Sequence, residues 1–223
     1  MMDRTEGLEE KIGYTFKDRE LLKEALTHSS CQTGSSYERL EFLGDSVLEM
    51  IVRKKLFELF PEDDEGRLTH MRIRLVGEEY LSGWAKKISL GDHILFGYGE
   101  IMNGGREKGS ILADVVESLT AAIYLDGGME AAEKFVNSVI SNKNGIDIPA
   151  DYKSELQELI QKNGKPHTIS YQESGREGPP HNQVFTMDLM IDGKLMGTGK
   201  GSSKKNAEKE AAKVALEKLN NTV

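Results

Sequence analysis

The stretch YERLEFLGDSVLEM, residues 37–50, decides the fold of the first part of the chain. Its apolar residues recur at the spacing of one helix face and form a stripe of Leu40, Leu43, Val47 and Ile51. Glu38, Glu41 and Asp45 fall within an arc of roughly 60° on the same helix, because positions i, i+3 and i+4 share a face. The sequence therefore predicts a core helix that carries clustered negative charge beside its buried stripe.

A second apolar segment, ILADVVESL at 111–119, repeats the arrangement with Asp114 and Glu117 three positions apart. Like charges that are partly buried raise each other's pKa and cost stability unless a cation lies between them. Spacing alone leaves two interpretations open: solvated acids at the helix edges, or ligands for a hard cation such as Mg²⁺ or Mn²⁺. A di-iron bundle is excluded because no histidine follows a glutamate by three positions, and zinc is disfavoured because no cysteine or histidine cluster exists.

The pattern of the chain changes near residues 141–151, SNKNGIDIPAD, which are polar and contain glycine and proline. Before this segment, apolar residues follow a helical period, with breaks near Gly77 and at Gly127-Gly128. After it, the patterns follow the order α-β-β-β-α, with a turn at Asp192-Gly193. We therefore predict an all-α domain at 1–145 and a small α+β domain at 150–221.

Composition indicates a soluble cytoplasmic protein with no membrane partner and no small-molecule cofactor. No apolar run approaches the roughly 20 residues of a membrane span, the amino terminus is too polar for a signal peptide, and Cys31 is the single cysteine. The net charge of the 223 residues is −8. Residues 151–223 hold 11 Lys+Arg and 10 Asp+Glu, a net of +1, so 1–150 carry −9. The second part can thus present a basic face to nucleic acid.

The segment GTGKGSSKKNAEKEAA, 197–212, places lysines where a helix is predicted to begin. It is not a nucleotide-binding P-loop, because Gly201 stands where Ser or Thr is required. Either Ser202 or Ser203 is suited to cap the helix, which puts Lys204 and Lys205 in the first turn, where the macrodipole disfavours cations. Their presence is explained if a phosphate docks there, although a tolerated surface pair remains an alternative.

Four segments carry a resemblance to a known family. ERLEFLGDSVL resembles the signature of ribonuclease III, the double-stranded-RNA endonucleases; GGREKGSILADVVESLTAAIYLDGG is similar to the family's second acidic segment, and THSS at 27–30 to an early one. KKNAEKEAA resembles the double-stranded-RNA-binding domain. Tyr37 and Ser46 depart from the common residues at their positions, outside the acidic set.

The resemblance implies an all-α endonuclease domain with a homodimeric arrangement. It implies that the catalytic residues, which hold Mg²⁺ or, as a substitute, Mn²⁺, are Glu41, Asp45, Asp114 and Glu117. It places Glu38 and Glu65 near the cut site of the dimer and packs Phe42 into the partner subunit. Taken alone, Phe42 is equally a core aromatic, whereas the acidic segment PEDDEG favours a solvated loop residue for Glu65.

The resemblance also implies three RNA-contacting regions in the second domain. Their residues are Gln157, Gln161, His181, Lys200, Lys204 and Lys205. Without the family, the glutamines are ordinary surface residues and His181 an ordinary loop residue. The function implied is hydrolysis of both strands of double-stranded RNA to 5′-phosphate and 3′-hydroxyl ends, in processing of ribosomal RNA precursors and of messenger, transfer and other structured RNAs. The rivals are a non-cleaving RNA-binding protein and a carboxylate-bridged redox bundle, the latter lacking the histidines it needs.

Overall fold

The structure, a computed structural model, describes residues 7–32, 34–142, 145–146, 148, 151–161, 167–179 and 183–220. The chain divides into two compact units, residues 1–149 and 150–223. Within the described ranges, none of the helices combines the length and apolar character that crossing a membrane requires.

The first unit is built from helices, as the periodicity predicts. Its seven described helices are α1 (Leu8–Ile12), α2 (Arg19–Ala25), α3 (Glu38–Leu59), α4 (Glu65–Val76), α5 (Glu78–Lys87), α6 (Tyr98–Met102) and α7 (Gly109–Ile140). Acidic caps begin two of them: the Asp18 carboxylate accepts hydrogen bonds from the first amides of α2, and the Asp64 carboxylate accepts one from Arg67 N in α4. The predicted break at Gly77 separates α4 from α5. The short helices α1 and α6 were not predicted, because about one turn contains too little periodicity.

Helix α7 is interrupted where the sequence predicts the end of a helix. Gly128 adopts φ 81° and ψ −178°, a conformation that residues with a side chain rarely adopt. The chain then resumes its helical path to Ile140. Immediately afterwards, β1 (Ser141–Asn142) pairs antiparallel with β2 (Gly145–Ile146). This two-residue ladder lies in the segment that the sequence marks as the domain boundary, and it is too short for alternation to reveal it.

Helices α3 and α7 pack against each other in the core of this unit. Leu48 and Val52 of α3 and Val115 and Val116 of α7 are fully buried. Gly44 allows an unusually close approach, since a Cβ atom there would overlap the main-chain oxygen of Glu117. The contact is therefore backbone to backbone, and it brings the acidic edge of α3 beside the acidic edge of α7.

The second unit has the predicted α-β-β-β-α order. Its elements are α8 (Tyr152–Gln161), β3 (Ile169–Glu177), β4 (Val184–Ile191), β5 (Lys194–Gly201) and α9 (Lys204–Asn220). The three strands form an antiparallel sheet in the order β3-β4-β5. Asp192 and Gly193 form the tight β4–β5 turn, both with positive φ (50° and 76°). Helix α9 packs on β4 and β5, and α8 packs on α9, around Leu156, Leu189 and Ala211.

Alternate glycines of β5 explain the sequence that resembles a phosphate-binding loop. Gly197 and Gly199 are buried, and a Cβ atom at either position would overlap the backbone of α9 near Ala211 or Ala207. Thr198 and Lys200, between and after them, are exposed. The glycines therefore allow the helix to approach the strand closely, in agreement with the exclusion of a P-loop.

Candidate active site and nucleic-acid interface

Two carboxylates of α3 and two of α7 form one electrostatic unit, which we name the four-acid cluster: Glu41, Asp45, Asp114 and Glu117. Burial raises the pKa of Glu41, and the charges of Asp114, Glu38 and Asp45 raise it further. Burial also raises the pKa of Glu117 from 4.5 to about 8, with added contributions from Asp45, Asp114 and Glu41. Each helix thus contributes charge that acts on the other, as the acidic spacing predicts.

Tyr37, which precedes α3, contacts the cluster through its hydroxyl. Its side chain is only 4% exposed, and its hydroxyl donates a hydrogen bond to Asp114 Oδ2 at 3.3 Å. Burial raises the pKa of the Asp114 carboxyl, and this hydrogen bond opposes the rise. The ring centroid lies 5.7 Å from that of His28, which helps to fix the tyrosine. Sequence reasoning set Tyr37 aside as a departure from the family pattern, because no local pattern connects it to Asp114.

Glu49, an acidic residue of α3 beside the cluster, is neutralised by two arginines. Its carboxylate accepts hydrogen bonds from Arg53 at 2.7 Å and from Arg72 of α4 at 2.7 Å. By contrast, no described lysine or arginine forms an ion pair with any member of the four-acid cluster. Among the described residues, the fold therefore supplies cations to the neighbouring acid and none to the cluster.

The chemistry of the cluster fits a hard divalent cation. Its donors are all carboxylate oxygens, and they are close enough to interact. Asp45 is exposed, whereas Glu41, Asp114 and Glu117 are partly buried, which makes the combined charge costly. Over the described ranges, no three acidic, histidine or cysteine side chains already form a metal-binding group. Mg²⁺ does not need such a group, since it commonly takes one or two carboxylates and completes its shell with water and substrate phosphate.

The remaining acids predicted near the cut site lie at helix starts. Glu38 begins α3, is exposed, and contributes to the raised pKa of Glu41. Glu65 begins α4 and accepts a hydrogen bond from the Thr69 hydroxyl at 3.0 Å, so it is a helical residue and not a loop residue. Phe42 is 82% exposed, and the alternative that it is a core aromatic is therefore wrong.

The second unit places most of the predicted RNA-contacting residues on exposed positions. Gln157 and Gln161 are exposed one turn apart on α8. Lys204 and Lys205 are the exposed first two residues of α9, and Lys200 is exposed near the end of β5. His181 lies outside the described residues. Of the two serines proposed as the cap of α9, Ser203 accepts a hydrogen bond through its Oγ from the main-chain N–H of Asn206 at 3.2 Å.

Acidic residues of β3 lie beside these lysines. Glu173 Oε2 is 2.7 Å from Lys204 Nζ, and the same carboxylate accepts two hydrogen bonds from Arg176. Glu177 Oε1 is 3.6 Å from Lys200 Nζ. The lysine and arginine hold the pKa of Glu173 below its ordinary value. Sequence reasoning missed Glu173, because an acid on a strand and a lysine on a later helix are brought together only by the fold.

Comparison with known proteins gives the class of both units. Residues 18–144 match the family model described as "Ribonuclease-III-like", and residues 152–219 match "Double-stranded RNA binding motif". The chain thus joins a nuclease domain to a double-stranded-RNA-binding domain.

Individual proteins agree with these matches. Proteins named ribonuclease 3 from Bacillus cereus and Bacillus anthracis are 43% identical over 220 residues, covering 95% of this chain and 89% of theirs. The nuclease domain of ribonuclease III from Campylobacter jejuni, solved in a study of the region involved in dimer formation, is 44% identical with a TM-score of 0.60; the match covers 61% of this chain and 95% of that one. The chain belongs to the ribonuclease III family and is an endoribonuclease of that type.

Proposed function

We propose that the protein is a homodimeric, Mg²⁺-dependent endoribonuclease that cuts both strands of double-stranded RNA. Residues 1–145 provide catalysis and dimerisation, and residues 150–221 bind the duplex. The observation that carries the proposal is the four-acid cluster, in which α3 and α7 place carboxylates in mutual interaction without a lysine or arginine partner among the described residues. The products are 5′-phosphate and 3′-hydroxyl ends.

In this mechanism, Glu41, Asp45, Asp114 and Glu117 hold the cation, and Mn²⁺ can substitute for Mg²⁺. When bound, the cation supplies an activated water as nucleophile and neutralises charge that develops on the phosphodiester. The Tyr37 hydroxyl keeps the Asp114 carboxylate oriented toward the cluster. Glu117 is partly buried, so its carboxylate loses part of its hydration, which strengthens its interaction with a bound cation.

Dependence on a divalent cation follows from charge alone. Without one, four clustered carboxylates repel the phosphodiester that they are to hydrolyse. No protein nucleophile is required, and the described surroundings of Cys31, whose burial raises the pKa of its thiol, do not activate it. We therefore expect no cleavage in the presence of a chelator.

Dimerisation is assigned to Phe42, one of the exposed aromatic residues of α3. Phe42 exposes 82% of its surface, so its ring is not used in the core of its own subunit and is available to a partner. The Campylobacter jejuni study refers to a dimer-forming region in the homologous nuclease domain. We assign Phe42 to packing into a second copy of this chain, with Glu38 and Glu65 close to the cut site of the assembled dimer.

Duplex RNA is bound through three regions of the second unit. Gln157 and Gln161 on α8 are suited to 2′-hydroxyls and base edges, and His181 belongs to the loop predicted to enter a minor groove. Lys200, Lys204 and Lys205 contact phosphates. Such a surface is suited to the A-form shape of duplex RNA. From its membership of the ribonuclease III family, we assign the protein to cytoplasmic processing of ribosomal RNA precursors and of structured messenger and transfer RNAs.

The experiment that tests this function is incubation of long duplex RNA with the wild-type protein and with Glu117→Gln, each with and without Mg²⁺. We expect Mg²⁺-dependent cutting by the wild type and a loss of at least about a hundredfold in the variant, which still binds the duplex. Glu130→Gln is the matched control, because Glu130 is also on α7 but forms a surface pair with Lys134. Equal cutting by Glu117→Gln and the control would remove Glu117 from the mechanism.

A further inference from the structure

The start of α9 contains an electrostatic conflict. Lys204 and Lys205 occupy the first turn, next to the positive end of the helix dipole and its free amides. Such a position favours an anion. In the structure the anion beside Lys204 is a side chain of the protein itself, the carboxylate of Glu173 on β3.

Glu173 is held there by more than one contact. Its Oε2 lies 2.7 Å from Lys204 Nζ. Its two oxygens accept hydrogen bonds from Arg176 Nε at 2.9 Å and Nη2 at 3.3 Å, in a bidentate arrangement. The Arg176 guanidinium in turn lies 5.1 Å from the ring centroid of Phe185 on β4. The carboxylate is thus supported by two cations, and one of them is packed against the sheet.

We infer that Glu173 occupies, in the RNA-free protein, the position that an RNA phosphate takes at Lys204, and that it thereby lowers the affinity of this unit for duplex RNA. The inference rests on the proposed duplex-binding function. Binding is then an exchange, in which Lys204 leaves a carboxylate for a phosphate. Lys205 differs, since it has no ion-pair partner among the described residues and is available at once.

The exchange has a measurable electrostatic consequence. A lysine that is free in the unbound protein releases nearly one counterion from the nucleic acid when it contacts a phosphate, and each such contact steepens the salt dependence of binding. A lysine already neutralised by a carboxylate contributes less. Removing the charge of Glu173 therefore lets Lys204 contribute its full effect to the affinity for duplex RNA and to the salt dependence of binding.

The test is binding of a duplex RNA of about 20 base pairs, longer than the span of one such domain, to the full chain in the presence of a chelator. We expect Glu173→Gln to bind about two- to fivefold more tightly than the wild type, the range of an exposed ion pair in a small network. Its plot of log affinity against log salt is expected to steepen by up to about 0.9. Glu217→Gln on α9, which makes the same change in net charge at an exposed site, is expected to show neither effect.

A double-mutant cycle with Lys204→Gln shows whether Glu173 acts through Lys204, since the gain is expected to disappear in that background. Binding by Glu173→Gln that is equal to or weaker than that of Glu217→Gln would overturn the inference, and weaker binding would assign Glu173 to positioning Lys204 for RNA. A gain that survives Lys204→Gln would also overturn it. Failure of the wild-type chain to bind the duplex at all would instead refute the proposed function. Circular dichroism confirms that each variant is folded.

Discussion

In the helical unit, the four-acid cluster has no ion pair to lysine or arginine within the described residues, whereas in the second unit Lys200 and Lys204 each lie beside a carboxylate. The pKa values differ in the same sense: those of Glu41 and Glu117 are raised, and that of Glu173 is lowered. On the proposed function, the charge of the acids of the first unit is balanced by a bound divalent cation. On the same proposal, RNA phosphate has to replace the carboxylates that already lie beside Lys200 and Lys204, whereas Lys205 has no ion-pair partner among the described residues.

The largest effect is expected from a substitution at Gly44, where the backbones of α3 and α7 make their close contact. Gly44→Ala places a methyl group onto the main-chain oxygen of Glu117, so the helices must separate. We expect a loss of about 3 kcal/mol or more in the free energy of unfolding of the helical unit, together with loss of cleavage. Thermal unfolding followed by circular dichroism measures the first, and duplex cleavage the second.

The control for this prediction is Gly83→Ala in α5, where a Cβ atom meets open space. Because alanine favours a helix over glycine, this variant is expected to gain about 0.5–1 kcal/mol. Similar behaviour of the two variants would show that the backbone contact at Gly44 is not what holds the acidic edges together.

The uncompensated charge of the cluster predicts a pH dependence in the metal-free protein. The pKa of Glu117 is about 8 in the folded state against an ordinary 4.5, so the folded protein binds more protons than the unfolded one between these values. Stability is therefore expected to fall as the pH rises from about 4.5 to 8. Because Glu117 is only partly buried, water screens its charge. We therefore expect the free energy of unfolding to fall by about 1 kcal/mol over this range, which lowers the melting temperature by roughly 2–4 °C.

Melting temperatures in a chelator at pH 5.5 and 8.5 test this expectation. Glu117→Gln is expected to reduce the decrease in melting temperature between pH 5.5 and 8.5. Mg²⁺ is expected to reverse this decrease in the wild type but not in the variant. A melting temperature of the wild type that is unaffected by pH in the chelator would contradict the idea that the cluster is electrostatically strained.

A smaller effect is expected at Tyr37. Tyr37→Phe removes the hydroxyl that donates to Asp114. We expect this to lower the free energy of unfolding by about 0.5–1.5 kcal/mol. We also expect it to raise the Mg²⁺ concentration needed for half-maximal cleavage. Tyr14→Phe is the matched control, since the Tyr14 hydroxyl also donates to an aspartate of α7, Asp126, which is not a member of the four-acid cluster. It is expected to lose stability without a change in Mg²⁺ requirement. An equal Mg²⁺ requirement in both variants would leave Tyr37 with a structural role alone.

The smallest effect is expected from Glu177→Gln in the second unit. The Glu177–Lys200 distance is 3.6 Å, and the two side chains are 72% and 60% exposed, so the pair is weak. We expect less than about a twofold change in duplex affinity. A gain as large as that expected for Glu173→Gln would mean that net charge, and not the particular contact at Lys204, sets the affinity.

Much of this organisation could be predicted from periodicity. The 3.6-residue spacing predicted α3 and the first part of α7, Gly127-Gly128 predicted the interruption, and alternation predicted the three strands of the second unit. The acids could be placed on helix edges for the same reason. Contacts between distant segments could not be predicted, because nothing local records them: the hydroxyl of Tyr37 on Asp114 and the carboxylate of Glu173 on Lys204 exist only after folding.

The alternating glycines of β5 have one more consequence. The pleat of β5 places Gly197 and Gly199 against α9 and leaves Thr198 and Lys200 exposed to solvent. One face of the strand therefore packs in the domain, and the other face is available for binding. Substitutions at the outward positions can retune which polyanions the surface prefers without loosening α9. A library directed at this domain can therefore vary position 200 while 197 and 199 remain fixed; position 198 is more constrained, because the Thr198 hydroxyl donates a hydrogen bond to Asp188 Oδ1 at 2.6 Å.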